Sequence, residues 1–170
     1  SPAVNAAAST FRIAVLPVDI PEQVDRAQLV VREGTGGIVP VETRQWVAPL
    51  ASEIRGALSA DLTSRLGVQD VYGIAATPGQ ATYTVKLRVQ RFDSALGAYA
   101  RIDALWTIRT DKDGAATCNS SASINVAPGY EELALGHQRA LAQIADDIAT
   151  SIRNARQSNS APACPVGAVH

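Results

Sequence analysis

A chain of 170 residues, 46% hydrophobic and with a formal charge of -1, is long enough to fill one core and too short for two independent ones. Its Lys and Arg residues are scattered singly, which leaves no electrostatic footprint for DNA or RNA. No stretch approaches the roughly 18 consecutive apolar residues that a membrane-spanning helix needs.

Residues 1–10 (SPAVNAAAST) are small and neutral, with no apolar run of the kind a signal peptide carries, and are expected to be a flexible leader. Met is absent altogether, which implies that an upstream signal or lipidation segment has been removed. Phe11 to Val18 is β-branched and apolar enough for a buried strand, with Pro17 suited to its end, where a missing N–H does little harm. After a polar connection over 19–28, Leu29 to Arg32 and Ile38 to Glu42 read as two short strands joined by Gly34-Thr35-Gly36-Gly37, a hairpin.

From Trp46 the apolar spacing lengthens to nearly four: Trp46, Leu50, Ile54, Leu58, Leu62 and Leu66 make the stripe of an amphipathic helix. Pro49 is expected in its first turn and Gly67 as its stop. A short strand is predicted around Val68 to Ile74, then a turn at Thr77-Pro78-Gly79. Strict alternation follows, with Tyr83, Val85, Leu87 and Val89 on one face, and resumes in Ile102, Ala104, Trp106 and Ile108. With the turn at 111–114 and a third strand over 115–126, this predicts an antiparallel meander with one wet face. The apolar phase slips by one between Val89 and Phe92, which a β-bulge near Gln90 or Arg91 explains. Tyr130 to Arg156 is a long helix with Leu133, His137, Leu141, Ile144, Ile148 and Ile152 on its stripe. The resulting expectation is one α+β domain over 11–156, an antiparallel or mixed β-sheet with two amphipathic helices packed on one face, and a flexible tail over 157–170 unless Cys164 pins it.

Chemistry is sparse. His137 is the one internal histidine and lies on an apolar stripe, where a core or interface role is the expectation and a general base is not. Asp146-Asp147 and Glu131-Glu132 are adjacent on helices, where neighbouring side chains point about 100 degrees apart, so both pairs are expected on solvated faces. The glycines at 34–37 precede a strand and no Lys-Ser/Thr follows them, so they are no phosphate cradle. Cys118 and Cys164 lack the ligand spacing of a metal site. They would either close a disulfide contributing roughly 4 kcal/mol in the chain-entropy model or remain a buried thiol and a free one. Neither a cofactor nor a metal is expected, and no acid, base and nucleophile come together. Trp106 and Trp46 are each in phase with a buried face, so core packing is expected of both, and Trp46 stays an interface candidate only if exposed. The polar connection at 19–28 is the natural place for a docking surface, with Pro21, Asp25, Arg26 and, just beyond it, Arg32 as its candidates.

At this connection the sequence resembles the ABC-type transport auxiliary lipoproteins of the PqiC/YmbA type. The stretches that carry the resemblance are Ile20-Pro21 with Asp25 to Arg32, Arg44 to Leu50, Val89 to Asp93, and Ala104-Leu105-Trp106. It implies a non-catalytic lipoprotein of the Gram-negative envelope, anchored by an N-terminal lipid to the outer membrane and facing the periplasm. It also implies a partner, an MCE-domain protein of an intermembrane lipid transport system. The sequence departs from the pattern in having no Cys at its start, the residue that carries the family's lipid. Two modes of action follow: docking onto an MCE protein or another copy of the chain, or carrying lipid in a pocket between sheet and helices. Small residues such as Ala51, Ala57, Ala134 and Ala145 favour close packing over such a pocket.

Overall fold

The structure, a computed structural model, describes residues 11–21, 30–32, 38–40, 49–75, 79–111 and 114–165, with the side chains of 30–32 and 38–40 left aside. In chain order these form β1 (Phe11–Val15), β2 (Val30–Arg32), β3 (Ile38–Pro40), α1 (Leu50–Leu66), β4 (Ala81–Ala95), β5 (Tyr99–Thr110), β6 (Gly114–Asn125) and α2 (Tyr130–Ser158). The strands make one mixed sheet in the order β3-β2-β4-β5-β6, and β1 joins β4 in parallel, Phe11 opposite Ala81 through Val15 opposite Val85. β2 and β3 pair antiparallel, and β2 meets the far end of β4 through Arg32 and Ala95. The leader, the connection over 22–29 and the turns expected at 34–37, 77–78 and 112–113 lie outside the described residues.

Alternation explains the meander. Tyr83, Val85, Leu87 and Val89 of β4, and Ile102, Ala104, Trp106 and Ile108 of β5, are buried on one face. Between Val89 and Arg91 the pairing register slips by one residue, the bulge that the apolar phase had required. Both helices cover this face. Leu58 and Leu62 of α1 meet Ile144, Ile148 and Ile152 of α2 in the main core, all fully buried. At Gly136 a Cβ would collide with Val126 and Ala100, so the absence of a side chain lets α2 approach the sheet.

The helix ends show local chemistry. Pro49 stands just before α1 rather than inside its first turn: its ψ of 142° is extended, and its carbonyl accepts the first helical hydrogen bond, from the Glu53 N–H at 3.1 Å. Gly67 ends α1 in the left-handed region (φ 66°) and donates its N–H to Thr63 at 2.9 Å. Asn159 does the same for α2, the kind of non-glycine residue that tolerates this conformation.

The strand expected over Val68 to Ile74 is replaced by a single bridge between Ile13 and Asp70, followed by a turn. The Asp70 carboxylate is the reason. It accepts the N–H groups of Val15 (3.1 Å) and Tyr72 (3.0 Å), the Ser59 hydroxyl (2.6 Å) and the Arg55 guanidinium (3.0 Å), taking over contacts that a ladder would have made. Burial alone would raise the pKa of Asp70, but these hydrogen bonds and the Arg55 charge hold it below the usual carboxylate value.

Cys118 and Cys164 are joined by a disulfide. With Cys164 bonded, the chain beyond α2 follows a set path as far as residue 165: Pro162 is buried and the Ser151 hydroxyl donates to the Ala163 carbonyl at 2.6 Å. Residues 166–170 lie outside the described part.

Candidate functional site

The two faces of β4 at its bulge carry different chemistry. On the wet face, Arg91 pairs with Asp93 along the strand, and Arg101 with Asp103 along β5 through two hydrogen bonds of 3.0 and 3.1 Å. Register sets Arg91 opposite Asp103 and Asp93 opposite Arg101, so the four charges alternate in a compact square. Burial would raise the pKa of Asp103, but hydrogen bonds from Arg101 and Ser121 and the charges of Arg101 and Arg91 hold it below its ordinary range. Being neutral overall and internally paired, the square adds order to the surface more than a field to attract a ligand.

On the inner face, Phe92 stacks on the His137 imidazole of α2, centroids 3.9 Å apart and planes within 8°. Ser94, two residues on, places its hydroxyl 2.8 Å from His137 Nε2. Nδ1 is buried without a partner among the described residues. Burial pushes the His137 pKa down to about 4, opposed only by the more distant charge of Asp93, so the ring is neutral at pH 7. A hydroxyl and an imidazole in contact are two parts of a nucleophilic set. The third, a carboxylate on Nδ1 to orient the ring and stabilise its charged form, has no counterpart at this nitrogen among the described residues.

Phe92 and His137 form the floor of a cleft of about 110 Å³ between α1 and α2, walled by Leu50, Ile54, Ile102 and Leu141 with Glu53 and Gln138 among its lining. Drug-sized ligands occupy roughly 300–1,000 Å³, and a benzene-sized guest fills about 150 Å³, so this cleft holds a few carbon atoms and no phospholipid.

A second polar feature lies under the sheet. The indole N–H of Trp106 donates to Ser120 Oγ at 2.9 Å, and the Ser120 hydroxyl donates to Asp147 Oδ2 at 2.7 Å. Asp147 is 7% exposed, which corrects its expected place on a solvated face. The same angular argument that separates neighbours on a helix gives the reason: Asp146 points to solvent, within 3.7 Å of Arg65, and Asp147 is turned towards the sheet. Trp106 is fully buried, as its phase required.

Of the docking candidates, Pro21 is half-buried just after Asp19, whose backbone bridges Arg88 of β4. Arg32 occupies the last pairing position of β2, opposite Ala95. Asp25, Arg26 and Trp46 lie outside the described residues. Among the described residues there is no group of three or more His, Cys, Asp or Glu able to hold a metal, and no helix long and apolar enough to cross a membrane. The Phe92–His137–Ser94 contact and the Trp106–Ser120–Asp147 relay were beyond sequence reasoning. The only signal for either was a polar residue in phase with a buried stripe.

A family model described as the ABC-type transport auxiliary lipoprotein component matches residues 1–149. The chain belongs to that family. This is a family of cell-envelope lipoproteins associated with transport, and the stretch Val89 to Asp93 that carries the bulge, the ion pair and the aromatic stack lies inside the match. Two solved structures share the fold. A crystal structure of an uncharacterised protein superposes with a TM-score of 0.68 at 20% identity, covering 84% of this chain and 92% of that one. A protein from Xanthomonas campestris superposes with a TM-score of 0.63 at 16% identity, covering 94% of each chain. No curated protein matches the sequence.

Proposed function

We propose that this auxiliary lipoprotein is a non-catalytic docking subunit of an MCE-type intermembrane lipid transport system, held at the periplasmic face of the outer membrane by an N-terminal lipid. The observation that carries the reading is the filled interior. Leu58, Leu62, Ile144, Ile148 and Ile152 close the space between sheet and helices, and the cleft beside them, at about 110 Å³, is several times too small for a lipid. What the molecule offers a transport system is then its outer surface, with Pro21, Asp25, Arg26, Arg32 and Trp46 as docking candidates. The Ser94–His137 contact, with no partner on Nδ1 among the described residues, and the low basicity of the ring support the non-catalytic part. The disulfide suits an oxidising compartment outside the cytosol.

The test is affinity purification of the full-length, lipidated protein from cell envelopes. Enrichment of an MCE-domain subunit, lost on Asp25→Ala with Arg26→Ala, is the expected result. No enrichment, together with phospholipid retained by the isolated domain in native mass spectrometry, would replace docking with lipid carriage.

A further inference from the structure

Among the described residues β6 is the outer strand of the sheet, and its twelve residues pair with β5 in unbroken register from Tyr99–Asn125 to Thr110–Gly114. Strand edges invite pairing by another chain, and proteins blunt them with charge, proline, a bulge or short length. β6 has none of these: Gly114 to Asn125 contains no charged residue and no proline, and its register has no bulge. The opposite side of the sheet is treated otherwise. β1 has its free edge taken by residues 69–71, through Ile13 N–H to Gln69 O (3.1 Å) and Val71 N–H to Ile13 O (2.8 Å), and β2 and β3 are three residues each. Charge is also unevenly spread. Lys86, Arg88, Arg91 and Asp93 lie on β4 and Arg101, Asp103 and Arg109 on β5, and the series stops there.

We infer that β6 is an interface strand, pairing antiparallel with β6 of a second copy over Asn119–Asn125 about a two-fold axis at Ala122. Its neutrality selects a copy of itself as occupant. About Ala122, the wet face sets Asn119 opposite Asn125 and Ser121 opposite Ser123, amide to amide and hydroxyl to hydroxyl. The helix face sets Ser120 opposite Ile124 and Ala122 opposite itself, with no like charges and no bulky clash. A charged partner strand would gain nothing from such a row. The pairing begins beyond Cys118 because the Cys164 sulfur occupies the preceding stretch, 3.3 Å from the Thr117 carbonyl.

Sedimentation velocity over a concentration series tests this with two double variants at exposed positions. The parent domain sediments as a dimer. Asn119→Lys with Asn125→Lys puts like charges opposite each other twice and weakens association by about tenfold or more. Asn119→Lys with Asn125→Glu pairs opposite charges and restores the dimer, and equal melting temperatures for both variants exclude misfolding as the cause. A parent that stays monomeric overturns the inference, as does a dimer indifferent to the paired lysines. A monomer whose capture of an MCE subunit fails only in the paired-lysine variant also overturns it, assigning the edge to that partner and leaving the docking reading intact.

Discussion

Replacing Ser120 with Ala removes the middle of the relay that joins sheet to helix. Ser120 is 2% exposed and accepts from Trp106 while donating to Asp147, so its loss leaves a buried indole N–H without its acceptor and removes one donor from a buried carboxylate. A neutral buried hydrogen bond contributes about 1 kcal/mol and one to a charged group about 1.5–3 kcal/mol, which predicts a loss of about 3 kcal/mol. For a chain of this size that lowers Tm by about 6–12 °C. The assay is urea unfolding of the parent, Ser120→Ala, Asp147→Asn and the double variant, with Ser123→Ala on the exposed face of the same strand as a control expected within about 0.5 kcal/mol. Because the hydroxyl and the carboxylate touch, the cycle must show a coupling above about 0.5 kcal/mol. Asp147 keeps a further interaction, so its own substitution need not equal the serine's. A Ser120→Ala variant as stable as the control, with no coupling, would falsify the relay as an energetic unit.

His137 is harder to protonate folded, at about 4, than unfolded, near 6.5, so the unfolded chain takes up the proton first as pH falls. Stability is full above pH 6.5 and declines towards pH 4 by about 3 kcal/mol, and His137→Phe abolishes that slope in unfolding curves at pH 7, 5.5 and 4. Asp70 and Asp103, held below the carboxylate value of 3.8, add a separate loss that starts only as pH falls through their ordinary range. Reducing the Cys118–Cys164 disulfide releases a 46-residue separation in the chain and costs about 4 kcal/mol, read as a fall of about 8–16 °C in Tm on adding reductant; no change in Tm would mean the tail is held by other contacts. Gly136→Ala, which on helix propensity alone would gain about 1 kcal/mol, instead loses about 1–3 kcal/mol because the new methyl meets Val126 and Ala100, as differential scanning calorimetry would record.

Periodicity was enough for the framework because β4, β5 and α2 are each long and half-buried, so period 2 and period 3.6 are written over many residues. It failed over Val68 to Ile74, where the apolar residues suggested a strand and one carboxylate, Asp70, drew the local N–H groups to itself. Such a substitution of side chain for ladder depends on Arg55 and Ser59, which arrive from a helix. The site was less legible for the same reason. His137 could be placed on a stripe, but its contacts with Phe92 and Ser94 come from a strand over forty residues away, and the serine that Asp147 meets comes from β6, 27 residues earlier.

The bulge in β4 shows how one irregularity serves both faces. With Val89 buried and strict alternation, position 91 would face the core and bring an arginine with it, at a cost of several kcal/mol for an unpaired buried charge. The register slip absorbs one residue, so Arg91 and Asp93 emerge on the wet face to meet Asp103 and Arg101, and Phe92 turns inward to His137. Gln90 is the residue that the slip absorbs, so its deletion should cost far less than deletion of a regularly paired residue such as Leu87. Without it Val89 and Arg91 become neighbours, and plain alternation already sets Arg91 and Asp93 on the wet face opposite Asp103 and Arg101, with Phe92 inward against His137. A variant lacking Gln90 should melt within a few degrees of the parent, and one that melts as far below it as a variant lacking Leu87 would show that the fold requires the bulge itself and not the phase of the residues around it.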